Sequence, residues 1–187
     1  MLLRKTRAES VLPVWRDLLS RYPTATAMAD APEDELIRLL QPLGLHHIRA
    51  RALRDVGRRL LLECGGEVPL DAAYLETLPH VGRYGASALV ALYGASPSPA
   101  VDANVVRILH RAFGFALPVE VHKADCLWDG LQAITPAGKA RAVNLALVDL
   151  GALICQPRAP RCEICPGQSY CAFGRQTRRG IVGNSTP

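Results

Sequence analysis

Lysine is scarce in this basic chain: of 22 basic residues only Lys5, Lys123 and Lys139 are lysines, and the other 19 are arginines. Few amines are therefore on hand for Schiff-base chemistry. No apolar run reaches the roughly 20 residues of a membrane span. The opening MLLRKTRAES holds no apolar signal core, so a cytoplasmic protein is expected. Sustained period-two alternation of β-branched residues is missing as well, which argues against sheets and for an all-α fold. No internal repeat is present.

What is there supports a packed core and a polyanionic partner. The 187 residues are 49% hydrophobic, which excludes wholesale disorder and leaves room for one large domain or two small lobes. The net charge of +5 and a pI near 9.1 favour nucleic acid or another polyanion. Helical faces are read at Val11, Val14, Trp15, Leu18 and Leu19, and again at Leu53, Val56, Leu60 and Leu61. Asp30-Ala-Pro-Glu33 predicts a helix start with Asp30 as N-cap, ending near Pro42-Leu-Gly44. Breakers are expected at Gly65-Gly66, Gly94 to Pro99 and Thr135 to Gly138. The residues after Cys171 read as a mobile tail.

Six cysteines are unevenly placed. Cys64 and Cys126 fall on helical stretches and read as buried free thiols. Cys155, Cys162, Cys165 and Cys171, with gaps of six, two and five residues, suit one set of metal-centre ligands rather than disulfides. Only Cys162 and Cys165 form a close pair. A zinc site usually shows two, and the spacing also differs from ferredoxin patterns, so zinc and iron–sulfur both stay open on spacing alone. Arg158 and Arg161 lie between the first two cysteines, where arginines suit phosphates.

Two further motifs accompany the cysteines. Residues 75–89 read as a helix end, a tight turn from Leu78 to Gly82 and a second helix opening at Arg83. Such a turn presents backbone N–H groups at a helix N-terminus, where a DNA phosphate can sit; an ordinary αα-hairpin is the plainer reading. Twenty residues beyond Gly82, a Gly/Pro-rich loop ends in Val101-Asp102-Ala-Asn104-Val-Val-Arg107. Asp102 alone would be a common N-cap.

Together these features resemble the helix-hairpin-helix (HhH-GPD) DNA glycosylases of the endonuclease III superfamily. They are most like the monofunctional members that remove thymine or uracil opposite guanine. Leu3-Arg4-Lys5-Thr6, Val101-Asp102-Ala-Asn104 and Asn144 to Gly151 carry that likeness. The resemblance implies a two-lobed all-α fold: a six-helix lobe over about 1–96, and a lobe over 97–187 with a flexible tail from about 172. It implies a [4Fe–4S] cluster on Cys155, Cys162, Cys165 and Cys171. The partner would be double-stranded DNA carrying a mispaired or damaged base, bound by a monomer with no membrane association. The protein would be nucleoid-associated while on DNA. Relatives also have more than twenty residues before the Leu2–Lys5 segment, so an N-terminal helix is expected to be missing.

For the chemistry, Asp102 is the expected carboxylate that steadies the cationic sugar and directs water to C1′. Strand-cutting members carry a lysine two residues after the glycine matching Gly82, where this chain has Tyr84. A phenol forms no imine, so the reaction should stop at an abasic site. Tyr84 would either line the base pocket or pack in the core. Expected DNA contacts are Leu78, His80, Gly82 and Arg83 of the hairpin, Lys5 and Leu45 as polar and apolar wedges, and Arg158 and Arg161. His80 replaces the usual first glycine of the hairpin. Adenine removal opposite a mismatched base, a bifunctional glycosylase/lyase and a non-catalytic DNA-binding module are the alternatives.

Overall fold

A computed structural model describes residues 2–3, 6–94, 99–114 and 125–178. Helices account for all of its regular structure and no strand occurs among the described residues, in agreement with the all-α expectation. The chain divides into two compact units, Met1–Ala86 and Ser87–Pro187.

The first unit contains α1 (Ala8–Arg21), α2 (Ala25–Asp30), α3 (Glu33–Leu40), a 3₁₀ turn (Gln41–Leu43), α4 (His46–Cys64), α5 (Ala72–Thr77) and the start of α6 (Gly82–Tyr93). Its core joins Val11, Val14 and Leu18 of α1 to Leu36 and Leu40 of α3, Leu43 of the turn and Ala50 of α4. The expected α1 face is narrower than the sequence pattern suggests. Val11, Val14 and Leu18 are buried, whereas Trp15 is 46% and Leu19 42% exposed. Burial follows the single i, i+3, i+7 line that meets α3, and residues one step round the helix fall outside it. Likewise Leu60 of α4 is buried and Leu61 is exposed.

The predicted start of α3 is shifted by two residues. Asp30 closes α2, and Pro32 takes the N-cap position without a side-chain bond. The acids Glu33, Asp34 and Glu35 still fill the first turn, where the helix dipole favours negative charge.

In the second unit, α7 (Ala103–Phe113) lies against α8 (Asp125–Ile134) and α9 (Ala140–Asp149). Val101, Val105, Val106 and Leu109 pack with Leu127, Trp128 and Leu131, and Leu147 of α9 closes the cluster. The chain continues from α9 without a break into a π-helical turn, Leu150–Ile154, which delivers Cys155. A 3₁₀ turn over Cys162–Ile164 and α10 (Ala172–Arg178) complete the unit.

Two expectations about this region are corrected. Residues 172–178 form α10 instead of a tail, because Phe173 lies beneath the Arg111 guanidinium of α7, 5.2 Å from ring centroid to cation; the rest of the expected tail lies outside the described residues. Cys126 is exposed and Cys64 half-buried, so neither is the buried thiol expected. Cys126 immediately precedes the buried Leu127–Trp128 pair and so points off the core face. Among the described residues no helix is long and apolar enough to cross a membrane.

Candidate active site and cysteine centre

The hairpin is built by caps at both ends. Asp71 opens α5 by accepting the N–H groups of Ala73 and Tyr74 at 2.9 and 3.3 Å. Leu78 is buried and extended where α5 stops, and its carbonyl accepts the Val81 N–H at 3.2 Å. His80 and Gly82 both adopt positive φ, 58° and 61°. For glycine this is free of strain, whereas histidine carries a steric cost. α6 begins at Gly82, one residue before the predicted Arg83. His80 is exposed, Arg83 half-buried, and Tyr84 43% exposed, so Tyr84 is not a core residue. The sequence reading missed Arg59 of α4, which donates to the Thr77 carbonyl at 2.8 Å and the Thr77 hydroxyl at 3.0 Å and so fastens the end of α5.

Leu45 stands alone at the entrance to α4, 46% exposed and in the left-handed region at φ 51° directly after Gly44 at φ 69°. Lys5, the other expected wedge, lies outside the described residues, as does Lys123.

Asp102 caps α7. Its Oδ1 accepts the Val105 N–H at 2.8 Å and its Oδ2 accepts Asn104 Nδ2 at 2.8 Å. The contacts continue inward. Arg107 donates through Nη2 to Asn104 Oδ1 and to the Gly151 carbonyl, both at 2.9 Å, and through Nε to the Cys155 carbonyl at 2.8 Å. Arginine has no acceptor, so it must meet the Asn104 oxygen, which turns the Asn104 amide nitrogen toward Asp102. Gly151 makes this packing possible: a Cβ there would lie 2.7 Å from Asn104 Cβ. Asn104 and Arg107 were read in the sequence only as part of a motif, not as site residues.

One turn further along α7, Arg111 grips the loop after Cys155. It donates to the Gln156 and Pro157 carbonyls at 2.7 and 2.9 Å and to Cys155 Sγ at 3.4 Å. Arg107 and Arg111 are four residues apart, so one helix face presents both guanidiniums to one loop. That spacing, two arginines on a helix otherwise spent on core contacts, is the signal by which they could have been found. The loop they hold carries the exposed Arg158 and Arg161.

Cys155, Cys162, Cys165 and Cys171 line one small cavity of about 30 Å³ together with Arg111 and Phe173. Cys171 Sγ also donates to the Arg111 carbonyl at 3.3 Å. Burial pushes the Cys162 thiol up, the neighbouring Cys155, Cys171 and Cys165 add to the effect, and the Arg111 guanidinium opposes it. These thiols therefore share one partly desolvated space. Among the described residues no group of three or more His, Cys, Asp or Glu side chains is arranged to hold a metal ion.

The expected site residues thus fall in both units. Leu45, Leu78, His80, Gly82, Arg83 and Tyr84 belong to the first. Asp102, Arg158, Arg161 and the four cysteines belong to the second, where Arg107 links the Asp102 cap to the cysteine loop.

Comparison with known proteins gives a consistent picture. The profile of the HhH-GPD superfamily base excision DNA repair proteins matches residues 1–122. A thymine/uracil-DNA glycosylase from Pyrobaculum aerophilum is 32% identical over 183 residues, covering 96% of this chain and 80% of that protein. A thymine-DNA glycosylase from Aeropyrum pernix is 36% identical over 92% of this chain and 78% of its own length. The solved structure of a thermostable thymine-DNA glycosylase superimposes with a TM-score of 0.86 at 31% identity, over 94% of this chain and 81% of that one. An adenine DNA glycosylase from Rattus norvegicus is 33% identical over 96% of this chain, which spans only 35% of that protein.

Proposed function

The chain belongs to the HhH-GPD superfamily of base excision DNA repair proteins, and from that premise we propose that it is a monofunctional DNA N-glycosylase. It hydrolyses the bond between deoxyribose and a mispaired base in double-stranded DNA, and thymine or uracil opposite guanine is the substrate. The observation that carries this reading is the likeness, along nearly the whole chain, to thymine and thymine/uracil glycosylases. The adenine-removing alternative fits less well. Its place of work is the cytoplasm, on the DNA itself.

The nucleotide must leave the base stack before a side chain can reach its glycosidic bond. We assign Leu45 to the step that fills the vacated space, since an exposed apolar side chain on a rigid turn can offset lost stacking. We assign His80, Gly82 and Arg83, with Arg158 and Arg161, to phosphate contact, which sets register without reading bases. Leu78, buried and with its N–H on the Leu75 carbonyl, serves instead as the apolar anchor of the hairpin. Asp102 then stabilises the cationic sugar as the base departs and orients the attacking water. Its two bonds to Val105 and Asn104 occupy about half of the acceptor sites of a carboxylate, so the remainder can face water or sugar. Tyr84 stands where strand-cutting relatives supply an amine. Of the three lysines, only Lys139 lies among the described residues, as the exposed residue that precedes α9.

The four cysteines offer an all-thiolate donor set around one shared cavity. That chemistry is open to a [4Fe–4S] cluster and to a zinc ion alike, and on the family resemblance we assign the four thiols to a [4Fe–4S] cluster. When bound it would act as a cross-link, fastening the Arg158–Arg161 loop to the ends of the π turn and α10.

The test is a panel of duplexes carrying G:T, G:U, A:G and oxidised-pyrimidine lesions, scored with and without alkali. Breaks at G:T and G:U that appear only after alkali are the expected result. Breaks without alkali, with an adduct trapped by borohydride, would establish the bifunctional enzyme instead. Tight binding without any product would leave a DNA-binding module.

A further inference from the structure

Buried polar side chains are rare in this protein: among the described residues only Arg49 and Asn144 lie in the core. Such groups must find partners, and the partner found often explains the residue. Asn144 sits on α9, is 4% exposed, and its Oδ1 accepts the backbone N–H of Ala100 at 3.0 Å, across 44 residues of sequence. Ala100 is itself buried between Pro99 and Val101, two residues before Asp102.

We propose that Asn144 is a positioning residue for Asp102, fixing against α9 the strand of backbone from which the carboxylate projects. The carboxylate is held from two directions. Val105 N–H and Asn104 Nδ2 fix it relative to α7, while the Asn144–Ala100 bond fixes the chain that enters α7. Val101 packs in the apolar cluster with Val105 and Leu127, but apolar packing is non-directional, and the hydrogen bond to Asn144 adds a directional hold on the Ala100 N–H. Losing it leaves a buried donor without an acceptor, and the loop would turn Ala100 toward water and carry Asp102 with it. A displacement of about 1 Å at a reacting group costs on the order of 10²-fold in rate. No contact between Asn144 and DNA is needed.

This inference rests on the assignment of Asp102, and the experiment separates the two. Single-turnover excision from a G:U duplex is measured beside the dissociation constant for a duplex holding a tetrahydrofuran abasic analogue. Asn144→Leu, similar in shape but without an acceptor, is expected to slow excision by about 10²-fold while the dissociation constant stays within about twofold. Asn144→Asp keeps the accepting oxygen and should recover most of the rate. Should the leucine variant fail to fold, Asn144→Gln moves the same amide outward by one methylene and should slow excision with binding retained. The inference is overturned if Asn144→Leu excises at the wild-type rate, if rate and binding fall together, or if the aspartate variant is no faster than the leucine variant. Undiminished turnover by Asp102→Asn would instead overturn the assignment of Asp102.

Discussion

Asp102 is a helix cap by geometry and the proposed sugar-stabilising group by family, and one substitution separates the two roles. Asparagine caps helices about as well as aspartate, so Asp102→Asn should leave thermal stability within about 1 kcal/mol. It removes the negative charge, so excision should fall by about 10²–10⁴-fold with DNA binding kept. Single-turnover kinetics beside a melting curve decide this. His80 offers the opposite case, a residue that departs from its motif. Its φ of 58° costs a non-glycine residue about 1 kcal/mol or more. His80→Gly relieves that strain but loosens the unfolded chain, so a net gain of under about 1 kcal/mol in urea unfolding is expected. The sequence showed that the usual glycine was replaced; the positive φ that makes the replacement costly exists only in the folded turn.

At the scale of elements, α7 is the scaffold of the second unit. One face makes the core, one end carries Asp102, and the arginines at 107 and 111 hold the cysteine loop. Gly151 sets how near the π turn may come to α7, and Gly151→Ala would force its new carbon against Asn104 Cβ. Overpacking of this kind costs about 1–3 kcal/mol, and because Asn104 bonds Asp102, excision should drop alongside stability. In the first unit, Glu33 ties α3 to α4 through Arg51 at 3.0 Å and Arg54 at 2.8 Å. The hydrogen bond from Arg51 holds the Glu33 carboxyl below its usual range; burial pulls the other way, and the charges of Arg51 and Arg54 add to the lowering. A depressed folded value means the stabilisation is present above the unfolded carboxylate pKa and lost as pH falls through the folded one. Glu33→Gln should therefore lower the urea midpoint modestly at pH 7, with the difference disappearing in acid below the carboxylate range.

For the whole molecule, the cysteine centre is the feature with the largest expected effect. Anaerobically purified protein should show a broad visible absorbance band. Cys162→Ser should lose it and destabilise the second unit by about 3 kcal/mol or more, as losses of bound metal do. A colourless protein with stoichiometric zinc would remove the cluster from the proposal. The all-α class was legible from periodicity and the cysteine set from spacing, because both depend on residue type at short range, whereas Asp102 by itself read as a common N-cap and only the family resemblance singled it out. Less legible were the edges of the buried faces at Trp15, Leu19 and Leu61, the start of α3, and the helix formed by 172–178. Each depends on which neighbour happens to pack alongside, and no local pattern records that.

The amino-acid sequence by itself determined which groups the chain supplies, an acid at Asp102 and a phenol at Tyr84, and the chemistry open to it follows from those groups. It also determined which four thiols could share a centre. Only the tertiary structure decided what holds these groups: Asn104 and Arg107 between Asp102 and Cys155, Arg111 on the loop beyond, and Asn144 beneath Ala100. Hydrogen bonds across some 44 to 48 residues arise from the packing of α7 against α9 and the π turn, a juxtaposition that exists only once the helices have folded together.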